Sequence, residues 1–223
     1  MPKTIRIAID GPASSGKGTV ARSVAQELGC AYVDSGAMFR AVALWAEETN
    51  VPFDDGSALA DMIEALSFDF SWSDGSFRIH VNGRDVSDDI RTERVGSKAS
   101  DVAVLPAVRE ALLGRQRELG RDAALVMDGR DIGTVVLPSA EVKVFLDASV
   151  EVRAERRFQE LRSRGLPATL KGVLKEVSAR DTQDSTRASA PLRRASDAVY
   201  IDTSGMTAEE AVRIIVELAK SKA

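Results

Sequence analysis

The chain has one cysteine, Cys30, and one histidine, His80. Those counts exclude a disulfide, a His/Cys metal site and Ser-His-Asp chemistry, each of which needs more such side chains than are present. Cys30, just before an apolar stretch, is expected in the core, and His80, in an alternating stretch, on a strand surface. No apolar run approaches the roughly 18 residues of a membrane span. Met1-Pro2-Lys3-Thr4 leads into an apolar strand with no signal-peptide hydrophobic region, so the protein is expected to be soluble and cytoplasmic. The net charge of −4 and pI near 5.3 argue against general binding to nucleic acid or a membrane surface, both of which are polyanions. Internal repeats and low-complexity tracts are also missing.

At 44% hydrophobic content, 223 residues suffice for one large domain or a core with small insertions. The acidic balance hides a basic segment. Between Arg153 and Arg194 there are nine arginines and two lysines against five carboxylates, an excess of +6. Such a run is either a solvated helix face or a surface for polyphosphate. Arginine outnumbers lysine 22 to 8 in the chain, and the guanidinium fork suits phosphate.

Apolar β-type runs alternate with helical patterns at Ile5–Asp10, Ala31–Asp34, Leu125–Asp128, Val142–Asp147 and Ala198–Asp202, and each ends in aspartate. Strands alternating with helices predict an α/β fold with a five-stranded parallel sheet, right-handed crossovers and ligands at the carboxyl ends of the strands. Asp34 and Asp128 open polar motifs there; Asp10, Asp147 and Asp202 read as structural or water-bridging. The pattern changes between Leu66 and Ile90. Phe68, Phe70 and Trp72 alternate with polar residues, Gly75 turns the chain, Phe77, Ile79 and Val81 alternate again, and Asn82-Gly83 is a hairpin turn. This predicts a small antiparallel insertion of three short strands. Ser149 is the N-cap of a long Arg-rich helix that stops near Gly165 and Pro167, and Thr207 to Glu210 form a capping box.

The densest signal is Gly11-Pro12-Ala13-Ser14-Ser15-Gly16-Lys17-Gly18-Thr19, between the first apolar strand and a helical pattern. A glycine-rich turn between a strand and a helix N-terminus gathers backbone N–H groups and the positive end of a helix dipole into a phosphate cradle. The spacing is that of the P-loop. Lys17 is expected as a solvent-facing, mobile cation that reaches β- and γ-phosphates. Gly18 stands where many P-loops carry the magnesium-binding Ser/Thr, with Thr19 one place later, so the metal is expected to be held largely through water.

With that loop, Asp34-Ser35-Gly36-Ala37-Met38-Phe39-Arg40, Asp128-Gly129-Arg130-Asp131-Ile132-Gly133-Thr134-Val135-Val136, Val144-Phe145-Leu146-Asp147-Ala148, and Arg180-Asp181-Thr182-Gln183-Asp184-Ser185-Thr186-Arg187 through Ala190-Pro191-Leu192 resemble the bacterial cytidylate kinases over essentially the whole chain. The resemblance implies a three-layer P-loop NTPase fold that transfers the ATP γ-phosphate to CMP or dCMP, with UMP a poor acceptor and Mg²⁺ as cofactor. It implies a core of 1–61, 96–155 and 168–223, an acceptor-binding insertion of about 62–95, and a lid of about 156–167. ATP falls to residues Gly11 to Thr19, with Lys17 on its β/γ-phosphates. The acceptor falls to Ser35, Arg40, Ser100, Arg109, Arg130, Asp131, Arg180, Asp184 and Arg187. Of these, Arg40, Arg130 and Arg187 would clamp the phosphate, Asp131, Arg109 and Ser100 would read the base, and Arg180 and Asp184 would lie near the sugar. Lys17, Arg130, Arg187 and Arg157 carry the transfer. Asp128 would orient the hydrated Mg²⁺, with Thr19 a second candidate. Arg156, Arg157, Arg162 and Arg164 fall in the lid, the last two equally readable as a solvated face. The partners implied are small molecules only, with no nucleic acid or membrane, and the chain is expected as a monomer. Two alternatives stay open: a monophosphate kinase for another base, and a P-loop ATPase without an acceptor.

Overall fold

The computed structural model describes residues 5–73, 76–121 and 124–222. Gly75, expected at a turn, lies outside them, as do Met1 to Thr4. Five aliphatic runs form one sheet: β1 (Arg6–Asp10), β2 (Ala31–Asp34), β6 (Leu125–Gly129), β7 (Val142–Asp147) and β8 (Val199–Asp202), in the order β2-β6-β1-β7-β8. β1 pairs in parallel with β6 and β7, and β7 with β8. Every residue of β6 is buried, as expected of a central strand covered on both faces. β6 runs one residue past Asp128, so the rule of terminal aspartates fails there. The register sets Asp10 beside Gly129 on one side and Phe145 on the other, which puts the carboxyl ends of three strands together.

Two compact units divide the chain, residues 1–32 with 122–223 and residues 33–121. In the first, α1 (Lys17–Leu28) packs against β6 and α8 (Ala208–Lys222). Val20, Ala21, Val24 and Ala25 form its buried stripe, and Gly29 ends it in a left-handed turn, φ 64°. Cys30 follows and is half-buried, not in the core as expected, because the turn at Gly29 sets it at the rim of the unit. α6 (Val150–Ser163) and α7 (Leu170–Thr186) bury Ala154, Leu161, Val173 and Val177 between them. Ser149 caps α6 by accepting from the Val152 N–H. Thr207 and Glu210 exchange the two bonds of the expected capping box before α8.

The second unit holds α2 (Ser35–Glu48), α3 (Gly56–Glu64), the antiparallel strands β3 (Phe68–Ser73), β4 (Ser76–Val81) and β5 (Arg84–Asp85), then α4 (Glu93–Val102) and α5 (Pro106–Leu119). The expected three-stranded insertion is therefore present. Ile79 and Val81 face the core with Met38, Leu59, Ile63 and Leu112, Phe77 is buried against the Phe70 ring, and His80, on the opposite side of β4, is half-buried. Asn82 and Gly83 both have positive φ, 49° and 78°, the backbone that a tight hairpin turn requires.

Candidate active site

The glycine loop joins β1 to α1 with the backbone left-handed at Ser14 and Gly16, φ 59° and 90°. Gly11 has no substitute, because a Cβ there would stand 2.0 Å from the Leu146 carbonyl oxygen. Lys17 opens α1 and folds back, donating from Nζ to the Pro12 carbonyl at 2.7 Å. It is 6% exposed, a correction to the solvent-facing side chain expected from sequence: the loop wraps its stem and ammonium. Burial, and then the neighbouring charge of Arg130, lower its pKa to about 7 against the pull of Asp128. Ser15 Oγ is buried with no hydrogen-bond partner among the described residues, the kind of orphaned donor that a phosphate oxygen would satisfy. Thr19 is exposed. The loop's carbonyls are held from behind. Ala13 O accepts from Arg153 Nη1 at 3.2 Å, and Ser15 O from Arg156 Nη1 at 3.4 Å and Thr203 Oγ1 at 3.3 Å.

β6 delivers the second half of the site in this unit. Asp128, 7% exposed, accepts from the Tyr32 hydroxyl at 2.7 Å. Beyond Gly129, residues Ile132–Val136 wind as one π-helical turn, a form concentrated at functional sites. Its first two N–H groups, of Ile132 and Gly133, are both accepted by the Asp10 carboxylate at 2.7 Å. Burial pushes the Asp10 pKa up to about 7, against those two bonds. Arg130 Nε donates to Asp184 Oδ2 at 2.7 Å. Arg187 lies 3.6 Å from Asp131 and 3.7 Å from Asp184 and donates from Nε and Nη2 to the Ala190 carbonyl at 2.8 and 2.6 Å. Burial alone would raise the Asp184 pKa, but Arg130, Arg180 and Arg187 together hold it below the usual carboxylate range. Four residues expected to meet the acceptor, Arg130, Asp131, Asp184 and Arg187, thus converge, with Arg180 in their field. Two guanidinium groups are thus held in place by carboxylates and a carbonyl, the kind of fixed donor set that suits an anion such as phosphate.

In the second unit, Asp34 caps α2, accepting from the Ala37 N–H at 2.9 Å and pairing with Arg40 at 2.8 Å. Ser35 is buried at the first position of the helix. Arg40 Nε is buried without a hydrogen-bond partner among the described residues. The Arg109 guanidinium lies 5.4 Å from the Phe39 ring centroid and donates to the Ala103 carbonyl at 3.2 Å. The Ser100 hydroxyl donates to the Gly96 carbonyl at 3.3 Å. On α6 the arginines differ. Arg157 pairs with Glu160 at 2.6 Å, as does Arg164 at 3.7 Å, and Arg162 lies over Phe158, whereas Arg156 reaches the glycine loop and the Thr203 carbonyl, 2.6 Å.

Asp10, read from sequence as structural, is so: its carboxylate holds two backbone N–H groups. Sequence reasoning missed Tyr32, Arg153, Asp181 and Thr203, which no spacing or periodicity marks. Among the described residues, no three His, Cys, Asp or Glu side chains cluster to hold a metal ion, and no helix is long and apolar enough to cross a membrane. One buried carboxylate at Asp128 fits a magnesium ion held mainly by water and substrate phosphates, the manner in which this ion is usually bound.

A loop shaped for polyphosphate and, in the same unit, a second set of cations already paired with carboxylates belong to an enzyme that handles two phosphate groups; the class is that of the P-loop kinases. The sequence profile of the cytidylate kinases matches residues 7–221. The cytidylate kinase of Geobacillus kaustophilus is 47% identical over 222 residues, 100% of this chain and 99% of that one. That of Pasteurella multocida is 45% identical over 212 residues, 95% and 93% of the two chains, and that of Lactobacillus johnsonii 44% identical over 218 residues, 98% and 95%. The chain belongs to the cytidylate kinase family, a family of nucleoside monophosphate kinases. Among solved structures, an uncharacterized protein from Eubacterium ventriosum superposes with a TM-score of 0.55 at 14% identity, covering 98% of this chain and 99% of that one, a likeness of fold alone.

Proposed function

We propose that the protein transfers the γ-phosphate of ATP to CMP or dCMP, giving ADP and CDP or dCDP, with UMP a poor acceptor. The observation that carries this reading is the cluster of Arg130 and Arg187 on Asp184 and Asp131, in the same unit as the glycine loop: a hydrolase has no use for a second phosphate receptor. Residues Gly11 to Thr19 hold the donor, and Lys17, already buried, is placed to follow the charge that builds up between the β- and γ-phosphates. Arg130 and Arg187 orient the acceptor phosphate. The reading assigns Arg180 with Asp184 to the sugar, while residues 62–95 serve acceptor binding and 156–167, with Arg157, act as a lid. Ser35, at the start of α2, takes its place on the acceptor side beside Arg40. No general base is needed, because the attacking phosphate oxygen is already ionised. Bound Mg²⁺, oriented by Asp128 through water, would supply charge neutralisation between the phosphates. Water exclusion falls to the lid arginines, since an open site would hydrolyse the donor.

Base choice rests on hydrogen-bond polarity. Cytosine offers an amino donor beside a ring acceptor and uracil reverses both, so a carboxylate acceptor at Asp131 selects cytosine. A uracil oxygen opposed to Asp131 should cost about 1–3 kcal/mol. The test is a panel of CMP, dCMP, UMP, AMP and dTMP with ATP and Mg²⁺. CMP and dCMP are expected to be the best acceptors, with UMP about 10- to 100-fold less efficient; ATP hydrolysis with no diphosphate other than ADP would overturn the reading.

A further inference from the structure

Arg153, in the first turn of α6, is 5% exposed, and its whole polar edge is engaged. Nε donates to the Ala148 carbonyl at 2.9 Å, Nη1 to Ala13 O at 3.2 Å and to Asp181 Oδ1 at 3.0 Å, and Nη2 to Asp181 Oδ2 at 2.6 Å. One guanidinium therefore ties together three segments: the glycine loop, the link between β7 and α6, and α7. On α7, Asp181 stands between Arg180 and Asp184, the latter 2.7 Å from Arg130. A buried ion pair contributes little net stability compared with apolar side chains of the same volume, although breaking one is costly. What a two-pronged Arg–carboxylate pair does supply is fixed relative position, because both groups are planar and both prongs must align.

We infer that the Arg153–Asp181 pair is a positioning joint that couples the grip of the glycine loop on a nucleoside triphosphate to the setting of the arginine–carboxylate cluster carried by α7. Asp181 acts on the donor only through Arg153 and the Ala13 carbonyl. The donor half of the inference stands on the loop geometry; the acceptor half rests on the proposed function.

The test uses the full chain with Asp181→Asn and, as a second variant that keeps a cation in place, Arg153→Lys. Calorimetry with a non-hydrolysable ATP analogue and Mg²⁺, without acceptor, reads the donor side; KM for CMP reads the acceptor side. Both variants are expected to weaken analogue binding about fivefold or more, the lower end of typical coupling between sites, and to raise KM for CMP. A pair that merely stiffens the fold would lower the melting temperature while leaving analogue affinity and KM within about twofold of wild type, and that result overturns the inference. Should either variant fail to fold, the other carries both readouts. If wild type does not phosphorylate CMP while Asp181→Asn still weakens analogue binding, the joint holds on the donor side and the proposed function falls.

Discussion

Two strand ends of the same sheet solve the problem of holding phosphate in opposite ways. After β1 the chain coils through Gly11, Ser14 and Gly16, and its recognition surface is backbone; only Lys17 adds a charge, and even that is wrapped by the loop. After β6 the first N–H groups of the π-helical turn are taken by Asp10, so this loop presents side chains instead, Arg130 and Asp131, braced by Asp184 and Arg187 from distant sequence. A backbone cradle suits a ligand recognised by its phosphates alone. A side-chain receptor is where base and sugar can be told apart, because only side chains differ in donor and acceptor pattern. On the proposed function, the β1 loop would read what all nucleoside triphosphates share, and the β6 loop what distinguishes one monophosphate from another.

Breaking the first loop should cost the most. Lys17→Ala should lower turnover about 10²–10³-fold, by analogy with removal of one preorganised electrostatic group, while far-ultraviolet circular dichroism stays that of wild type; near-normal turnover at saturating ATP would contradict the role given to it. Asp10→Asn should then separate the two loops. One of its oxygens becomes an amide that faces an N–H donor, so the π-helical turn loses a bond and Arg130 and Asp131 shift. Steady-state kinetics should show CMP efficiency falling about 10- to 100-fold, the scale of a misplacement near 1 Å, with affinity for an ATP analogue within about twofold. Equal damage to both would mean that Asp10 serves the whole strand end and not the β6 loop.

The smallest effect is a control at the other end of the same strands, where Arg6 and Glu141 pair at 2.8 Å. The side-chain hydrogen bonds from Arg6, outweighing partial burial, hold Glu141 down to about 2. A depressed carboxylate pKa adds stability above the unfolded-state value near 4.5 and loses it as pH falls through the folded value. Glu141→Gln should therefore lower stability by about 1 kcal/mol at pH 7, a partly exposed pair being screened, and that deficit should shrink as pH is lowered from about 4.5 toward 2. Thermal melts across that range check the sign, and kcat should not change.

The contrast between the loops also explains what was legible in the sequence. The glycine loop is local: strand, turn and helix are contiguous, and a Cβ at Gly11 would collide with the Leu146 carbonyl, so spacing alone identified it. The five strands and the antiparallel insertion were legible from aliphatic runs and alternation for the same local reason. Burial of Lys17 was not, since it depends on how the loop closes over its own side chain. Nor were Asp10 as the acceptor of two loop N–H groups, Tyr32 on Asp128, or Arg153 on Asp181, because these pairs are 122, 96 and 28 residues apart and no periodicity links them. Arg156 illustrates the limit: the sequence places it in an Arg-rich helix, but only the fold shows that it faces the Ser15 carbonyl and Thr203 while Arg157, its neighbour, turns to Glu160.

If the β6 loop reads the base through a side chain, Asp131→Asn should change which base is accepted. The substitution keeps size while turning half of the group into a donor, so a flipped amide can face the uracil oxygen. Comparison of CMP and UMP efficiencies, wild type against variant, should show CMP falling more than UMP, so that the ratio narrows about tenfold or more, near 1.4 kcal/mol of discrimination. Equal losses for both acceptors would contradict the account, leaving Asp131 as a brace for Arg187, 3.6 Å away, and placing the choice of cytosine elsewhere.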